Sequence, residues 1–254
     1  MLDLVTIPCL ADNYAYLIHD RDTGQTAVVD VPEAGPILAA LSAHQWRLTD
    51  ILITHHHDDH IQGVDTLRAQ TGAMVLGAAA DAHRLPRLDL ALTEADSFSV
   101  GSEFARVIDV PGHTIGHIAF HFPDSKLAFT ADSLMAGGCG RLFEGTARQM
   151  HASLAKLAAL PPDTRICSGH EYTASNLRFA ETLEPGNPRL ISRIAEVADK
   201  RARGIPTVPV PLEEELATNP YLRAHLPALK AAIGLPDADD ATVFAEIRAR
   251  KDKF

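Results

Sequence analysis

The most constraining feature of this chain is a short apolar run, Ile51-Leu52-Ile53, followed at once by Thr54-His55-His56-His57-Asp58-Asp59-His60. Imidazole and carboxylate groups together suit zinc, manganese or iron, and no thiolate accompanies them here. The run is internal and follows a strand-like segment, so it is not an affinity tag. Because α/β folds place their sites at the carboxyl ends of strands, we expect this loop to face a site.

Four side chains of the run have the spacing H-x-H-x-D-H, which is typical of metal ligands. They are His55, His57, Asp59 and His60. A single catalytic metal keeps an open coordination position and does not need four ligands from six residues. The spacing therefore predicts half of a two-metal site.

The length and composition of the chain limit what surrounds this site. With 254 residues it is one large domain, or one domain with a small appendage. No run of about eighteen apolar residues and no signal peptide is found, so we expect no membrane partner. Three cysteines without a C-x-x-C spacing argue against disulfides and for the cytoplasm. The net charge of −10 argues against nucleic acid as a partner. We expect a monomer.

Strand-like segments over the first two thirds of the chain repeatedly end in a histidine or an aspartate. The predicted strands are 2–8, 14–19, 26–31, 50–53, 73–77, 104–110, 117–122, 127–131 and 164–167. The predicted helices among them are 34–45, 63–71 and 147–159. From about residue 173 strand patterns stop, and helices are predicted at 172–183, 188–203 and 240–252, with a proline-rich connector at 205–213. This predicts a catalytic domain over 1–172 and a helical substrate-binding region over 173–254.

Three further residues gain weight because each closes an apolar strand: His113, Asp132 and His170. The expected allocation gives three ligands to each ion and one shared carboxylate, Asp132. The first ion would take His55, His57 and His113, and the second Asp59, His60 and His170. A hydroxide between two such ions is a potent nucleophile, because both metals lower the pKa of the water from which it forms.

Other polar residues near the motif leave alternatives open. His56 and Asp58 alternate with the ligands and are expected to point elsewhere, either solvated or behind the ligands. Asp30 either orients the histidine loop or caps it. His117 is expected to form structural hydrogen bonds, and His121 to lie outside the site.

These motifs resemble the metallo-β-lactamase superfamily, whose metal ligands they match in order. Within it, the chain is similar to the glyoxalase II, or hydroxyacylglutathione hydrolase, family over essentially its whole length. Supporting segments are Leu10-Ala11-Asp12-Asn13-Tyr14, Pro111-Gly112-His113-Thr114, Cys139-Gly140-Arg141-Leu142-Phe143-Glu144-Gly145, Gly169-His170-Glu171-Tyr172-Thr173, Thr218-Asn219-Pro220-Tyr221-Leu222 and the terminal Lys251-Asp252-Lys253-Phe254. The resemblance implies an α+β fold, a four-layer αββα sandwich with a helical C-terminal region.

The resemblance also implies an activity: hydrolysis of S-D-lactoylglutathione and related 2-hydroxyacyl glutathiones to glutathione and D-lactate, in methylglyoxal detoxification. The nucleophile would be a hydroxide bridging two divalent ions, zinc in the first place, with iron or manganese as alternatives. Asp59 and Asp132 would take part in catalysis while binding metal. The substrate-binding residues implied are Arg141, Phe143, Tyr172, Arg248 and Lys251.

Two of these positions depart from the family, in which Lys and Tyr are more frequent where this chain has Arg141 and Phe143. Arginine keeps the charge with a different donor geometry, and phenylalanine lacks a hydroxyl. The main competing activity is that of a glutathione persulfide dioxygenase, which uses one iron. A flavo-diiron reductase, a lactonase or β-lactamase, a nuclease and a non-enzymatic metal-binding module explain fewer of these residues.

Overall fold

The computed structural model describes residues 1–94 and 96–254. The chain divides into two compact units. Unit 1 comprises Met1–Asp109 and Gly116–Ala131, and unit 2 comprises Val110–Ile115 and Asp132–Phe254. The predicted domain boundary at residue 172 rests on the change in secondary-structure pattern along the sequence, and it stays a prediction.

The first sheet of unit 1 places the histidine loop. Its strands are β1 (Asp3–Cys9), β2 (Asn13–His19), β3 (Thr26–Val29), β4 (Asp50–Leu52), β5 (Met74–Ala78) and β6 (Leu90–Leu92). The strands β1 to β3 pair antiparallel, and β3 to β6 pair parallel. The central β4 is wholly buried, as expected for an apolar parallel strand covered on both faces. The histidine loop therefore starts at the carboxyl end of a buried strand.

Helices pack on this sheet and complete the core of unit 1. They are α1 (Ala34–His44), α2 (Asp58–Ile61) and α3 (Val64–Thr71), followed by a single 3₁₀ turn, Ala79–Asp81. Ile37 and Leu67 from the helices share one core cluster with Leu17, Ile51 and Val75 from the strands. Each such side chain contributes about 1.5–3 kcal/mol by leaving water. The short helix α2, which lies inside the histidine motif, was not predicted.

Unit 1 also holds an antiparallel set of four strands, β7 (Ser97–Val100), β8 (Glu103–Asp109), β9 (Ile118–Phe122) and β10 (Leu127–Ala131). Phe120, Phe122 and Phe129 are fully buried in it. The rings of Phe122 and Phe129 meet edge to face at 5.9 Å between centroids, a favourable aromatic geometry. The strands β6 and β7 were missed from the sequence because runs of three or four residues carry little alternation.

Unit 2 carries short strand pairs and most of the helices. The strands are β11 (Leu134–Met135), β12 (Gly138–Cys139), β13 (Arg165–Ser168) and β14 (Val210–Pro211). The helices are α4 (Ala147–Ala158), α5 (Thr173–Leu183), α6 (Pro188–Ala202), α7 (Leu212–Thr218), α8 (Pro227–Ala232) and α9 (Asp240–Lys251). Among the described residues, no helix has the length and apolarity needed to cross a bilayer.

Local sequence explains where two of these helices begin. Thr146 and Gln149 form a capping box at the start of α4, in which each side chain bonds the other's backbone N–H. The Asn187 side chain accepts hydrogen bonds from the first turn of α6, and Pro188 occupies its first position. These signals fix the starts of helices that the sequence predicts correctly.

The predicted connector at 205–213 is wrong in part. Val210–Pro211 pairs with Arg165–Ile166, and α7 begins directly after it. Proline is tolerated there because the strand is very short and Pro211 precedes the first turn of a helix. Strand structure therefore continues past residue 171, although the sequence pattern indicates none.

Candidate metal centre

Asp30 holds the histidine loop of unit 1 in place. It lies just after β3 with a positive φ of 56°, and its side chain is buried. Its carboxylate accepts hydrogen bonds from the Thr54 backbone N–H at 2.9 Å and the Thr54 hydroxyl at 2.8 Å. It also contacts the His60 Nδ1 atom at 2.8 Å. Asp30 therefore both caps the loop and orients a predicted ligand. Both of the alternatives that the sequence left open for Asp30 apply.

Ring nitrogens in this loop are arranged as metal ligands require. Because a carboxylate only accepts, His60 carries its proton on Nδ1 and keeps the Nε2 lone pair available. The His55 Nδ1 atom contacts the Thr54 hydroxyl at 3.1 Å, which directs its Nε2 to the other side. That Nε2 lies 3.1 Å from the Nδ1 of His57. Two ligands of one tetrahedral zinc stand about 3.3–3.4 Å apart, so the pair fits a single ion.

Asn13 holds the carboxylate of Asp59, a role that the sequence did not reveal. Its side-chain amide is buried and donates to the Asp59 Oδ2 and to the Asp59 backbone carbonyl, both at 3.0 Å. The same Oδ2 lies 3.8 Å from the His60 Nε2 atom. Asn13 belongs to the segment Leu10–Tyr14, which carries part of the family resemblance. Its contact with Asp59 gives Asn13 a structural role within that segment.

Unit 2 gathers the three remaining predicted ligands around one oxygen. The His113 Nδ1 atom donates to the Arg141 carbonyl at 2.8 Å, and because a carbonyl only accepts, the His113 Nε2 atom keeps its lone pair. That Nε2 lies 3.4 Å from the Asp132 Oδ2, and the His170 Nε2 lies 3.3 Å from the same oxygen. All three side chains are buried. A carboxylate oxygen between two imidazole nitrogens is the arrangement expected of a metal ligand shared by two ions.

The backbone around Asp132 is specialised. Ala131, just before it, has a φ of 40°, which is unusual for a residue with a side chain and often marks a functional site. A Cβ on Gly140 would lie 2.0 Å from the Asp132 carbonyl oxygen and 2.9 Å from the His113 Nδ1. The absence of a side chain at Gly140 therefore lets the backbone pack directly against two predicted ligand residues, Asp132 and His113.

Predicted substrate-binding residues of unit 2 flank its histidines. The exposed ring of Phe143 meets the His113 ring edge-on at 5.3 Å between centroids. The Tyr172 ring stacks on the His170 ring at 4.7 Å with planes 5° apart, although it is 40% exposed. Exposed aromatic rings beside histidines that are predicted to bind metal are suited to contact a bound molecule.

Basic residues concentrate at the end of unit 2. Arg248 is buried, donating from Nη1 to the Cys139 carbonyl at 3.0 Å and from Nη2 to Asp252 at 2.8 Å. The Lys251 Nζ donates to the Ser175 carbonyl at 3.1 Å. Burial, together with the charges of Arg248, Arg178 and Arg141, lowers the pKa of Lys251 to about 8.

Although the net charge of the chain is −10, this cluster concentrates positive charge locally. An anionic ligand needs such locally gathered cations. Arg178 belongs to the cluster and was missed from the sequence, because a lone arginine in a helix pattern carries no signal. Arg248, by contrast, is buried and hydrogen-bonded within the protein to a greater extent than its position on the last helix predicts.

The cysteines take no part in these groups, as the sequence predicts. Cys9, Cys139 and Cys167 are buried free thiols. Burial raises the pKa of Cys9 and of Cys139 to about 11, so both stay protonated at neutral pH. Among the residues that the structure describes, the groups suited to a divalent metal are made of histidine and aspartate.

The chain is similar along its length to known protein families and to curated relatives. The family description "Metallo-beta-lactamase superfamily" matches residues 12–170, and "Hydroxyacylglutathione hydrolase C-terminus" matches residues 171–254. A hydroxyacylglutathione hydrolase of Cereibacter sphaeroides is 68% identical over 253 residues, covering 100% of this chain and 99% of that protein.

Solved structures share the fold. The B3 metallo-β-lactamase BLEG-1 superposes with a TM-score of 0.67 at 21% identity, covering 87% of this chain and 99% of that one. TTHA1623, solved in a di-iron-bound form, gives a TM-score of 0.56 at 28% identity, covering 66% of this chain and 91% of that one. The predicted α+β class and metallo-β-lactamase fold are confirmed.

Proposed function

Because the chain belongs to the hydroxyacylglutathione hydrolases of the metallo-β-lactamase superfamily, we propose that it hydrolyses S-D-lactoylglutathione and related 2-hydroxyacyl glutathiones. The products are glutathione and D-lactate, and the reaction is the second step of methylglyoxal detoxification. The observation that carries the proposal is the pair of His/Asp groups combined with a basic, aromatic C-terminal region that fits an anionic peptide thioester. The proposed setting is the cytoplasm, and the proposed state is a monomer.

The proposed metal centre takes two divalent ions, zinc in the first place, with iron or manganese as alternatives. His55, His57 and His113 hold one ion, Asp59, His60 and His170 hold the other, and Asp132 is shared. When bound, such a pair supplies an activated water and polarises the carbonyl of a bound acyl group. Asp30, Thr54, Asn13 and the Arg141 carbonyl keep the ligand atoms oriented, as the hydrogen bonds within each unit support.

The remaining residues bind the substrate. Lys251 and Arg248 attract the carboxylate of the glycine end, and Arg141 adds positive charge. Tyr172 and Phe143 contact the peptide part. The departing sulfur leaves as a thiolate, and because an ordinary thiol has a pKa of about 8.5, it needs no dedicated general acid.

The direct test is thiol release from S-D-lactoylglutathione by the metal-loaded protein. We expect rapid release by the wild type, loss of release in His57→Ala, and full release in His225→Ala, which removes an exposed histidine outside the site. A two-metal protein that releases no thiol would refute the thioesterase proposal. Oxygen consumption with a persulfide substrate and one iron per chain would instead establish the dioxygenase alternative.

Substrate binding is expected to weaken as the pH rises through 8. Lys251 has a pKa of about 8, below its usual 10.5, so it loses its charge between pH 7 and 9. We expect the KM for S-D-lactoylglutathione to rise at least about fivefold over this interval, since a hydrogen bond to a charged group is worth about 1.5–3 kcal/mol. In Lys251→Arg the charge persists at every pH, so the rise should disappear. Lys253→Arg, an exposed neighbour, should keep the wild-type profile, and a flat wild-type profile would contradict the role of Lys251.

Phe143→Tyr is expected to strengthen substrate binding. The ring is exposed beside His113, and an added hydroxyl gives the peptide part of the substrate one more hydrogen-bond partner. Such a bond is worth about 0.5–1.5 kcal/mol, so the KM should fall about 2- to 10-fold. Phe104→Tyr, at another exposed phenylalanine, is the matched control and should leave the KM unchanged. An unchanged KM in Phe143→Tyr would remove this residue from the substrate site.

A further inference from the structure

Asp81 is a buried carboxylate that contacts His56, a residue of the histidine motif that is not a predicted ligand. It ends the 3₁₀ turn Ala79–Asp81 and is 2% exposed. Its Oδ2 lies 3.1 Å from the Nδ1 of His56, and its Oδ1 accepts from the Arg84 guanidinium at 2.6 Å. A charge this deeply buried is tolerated only where such partners hold it in one position.

His56 gives Asp81 a direct connection to the predicted ligands. It stands between His55 and His57 in the chain, and its ring contacts the His57 ring edge-on at 5.0 Å between centroids. Because Asp81 holds the His56 ring, the backbone of His56, which links His55 to His57, has little freedom to rotate. The ring nitrogens of His55 and His57, 3.1 Å apart, depend on this backbone for their relative orientation.

Gly116 gives Asp81 a second connection. A Cβ on Gly116 would lie 2.1 Å from the Asp81 Cγ and 2.4–2.5 Å from its carboxylate oxygens. The φ of Gly116 lies outside the left-handed region, so what requires glycine here is the space that the carboxylate fills. The next residue, His117, stacks on the His55 ring at 4.6 Å with planes 10° apart. The carboxylate of Asp81 therefore supports the His55 ring from a second direction.

We propose that Asp81 is a positioning residue, which acts through His56 and the Gly116-His117 segment to keep His55 and His57 oriented for a shared metal ion. This role parallels the one that Asp30 plays for His60. The inference rests on the metal centre of the proposed function, but it concerns affinity for the metal and needs no substrate.

The test measures how tightly the full-length protein holds zinc. Zinc-loaded wild type and variants are titrated with a competing chelator, and the visible absorption of the cobalt-substituted proteins reports ligand geometry. We expect Asp81→Ala to weaken zinc binding about 10- to 100-fold, the usual effect of removing a group that orients a ligand. Asp81→Asn keeps one oxygen that can accept from His56 but places its amide NH2 against the donating Arg84 guanidinium, so it should lose less zinc affinity than Asp81→Ala.

Gly116→Ala provides an independent variant that leaves Asp81 in the chain. Its added methyl group displaces the carboxylate, so it should weaken zinc binding as Asp81→Ala does and alter the cobalt spectrum in the same way. In the double variant Asp81→Ala/Gly116→Ala the atoms that clash are gone, so the methyl group should add no further loss. Such non-additivity is expected of residues in direct contact.

Three outcomes would overturn the inference. Zinc affinity and a cobalt spectrum equal to the wild type in Asp81→Ala would exclude it. So would fully additive losses in the double variant. A lower thermal stability of Asp81→Ala with unchanged zinc affinity would show a purely structural role. A wild type that binds no zinc would instead remove the metal centre itself, which separates failure of this inference from failure of the proposed function.

Discussion

Replacement of Asp132 by alanine is expected to reduce the bound metal to at most one ion per chain and to abolish thioester hydrolysis. The Asp132 Oδ2 lies within 3.4 Å of ring nitrogens from both His113 and His170, so its removal takes away the carboxylate oxygen that both predicted ligands approach. We expect kcat/KM to fall at least about 10³-fold, which corresponds to about 4 kcal/mol of transition-state stabilisation. Metal analysis and thiol release on the same preparation measure both effects.

Asp58→Ala is the matched control for this prediction. Asp58 is an exposed acid inside the histidine motif, and we assign it no metal and no substrate. Its removal should leave metal content and turnover unchanged. Two bound ions with full turnover in Asp132→Ala would refute the assignment of Asp132 as the shared ligand.

Replacement of Glu215 by alanine is expected to cause the largest loss of stability. Glu215 is fully buried in α7 and forms an ion pair with the buried guanidinium of Arg193. Its Oε2 also accepts from the Gly137 backbone N–H at 2.9 Å and the Asn219 side chain at 2.8 Å. Removal leaves a buried positive charge without a counter-ion, which typically costs about 3–5 kcal/mol of unfolding free energy.

Denaturant unfolding with Glu213→Ala as the control checks this prediction. Glu213 lies on the same helix but is exposed, so its removal should change the unfolding free energy by no more than about 0.5 kcal/mol. An equally small change in Glu215→Ala would show that Arg193 finds another partner.

The hydrogen-bond network of Glu215 also gives the segment Thr218–Leu222 a structural role. Asn219 donates to the carbonyls of Met135 and Gly138, so this segment shapes the loop that leads to Arg141.

Strong local patterns made much of this fold predictable. The helices α1, α4, α5, α6 and α9 differ from their predicted bounds by at most one residue at either end. The apolar strands that end before Thr54 and before Asp132 were also recognised, because a buried strand carries a nearly continuous apolar run. Elements of two to four residues escaped prediction, since pairing with a neighbour, and not local propensity, holds them in place.

Sequence patterns alone were enough to predict which residues bind metal and in what order they occur. A histidine or aspartate that directly follows an apolar strand has few alternatives, since burial of the strand brings the next side chain to the edge of the sheet. The family resemblance then follows from the same motifs, and the comparisons bear it out.

The folded structure was needed to show which residues support the predicted ligands and how the ring nitrogens of those ligands are oriented. Asn13, Asp81 and Arg178 are ordinary polar residues in the sequence, far along the chain from the groups that they contact or influence. Their roles arise from long-range hydrogen bonds, burial and electrostatics, such as the contact of Asn13 with Asp59 across 46 positions. The burial of Arg248 depends in the same way on its contact with Cys139, which lies more than 100 positions away in the chain. No local pattern encodes such contacts, because their energy depends on which segments the folded chain brings together.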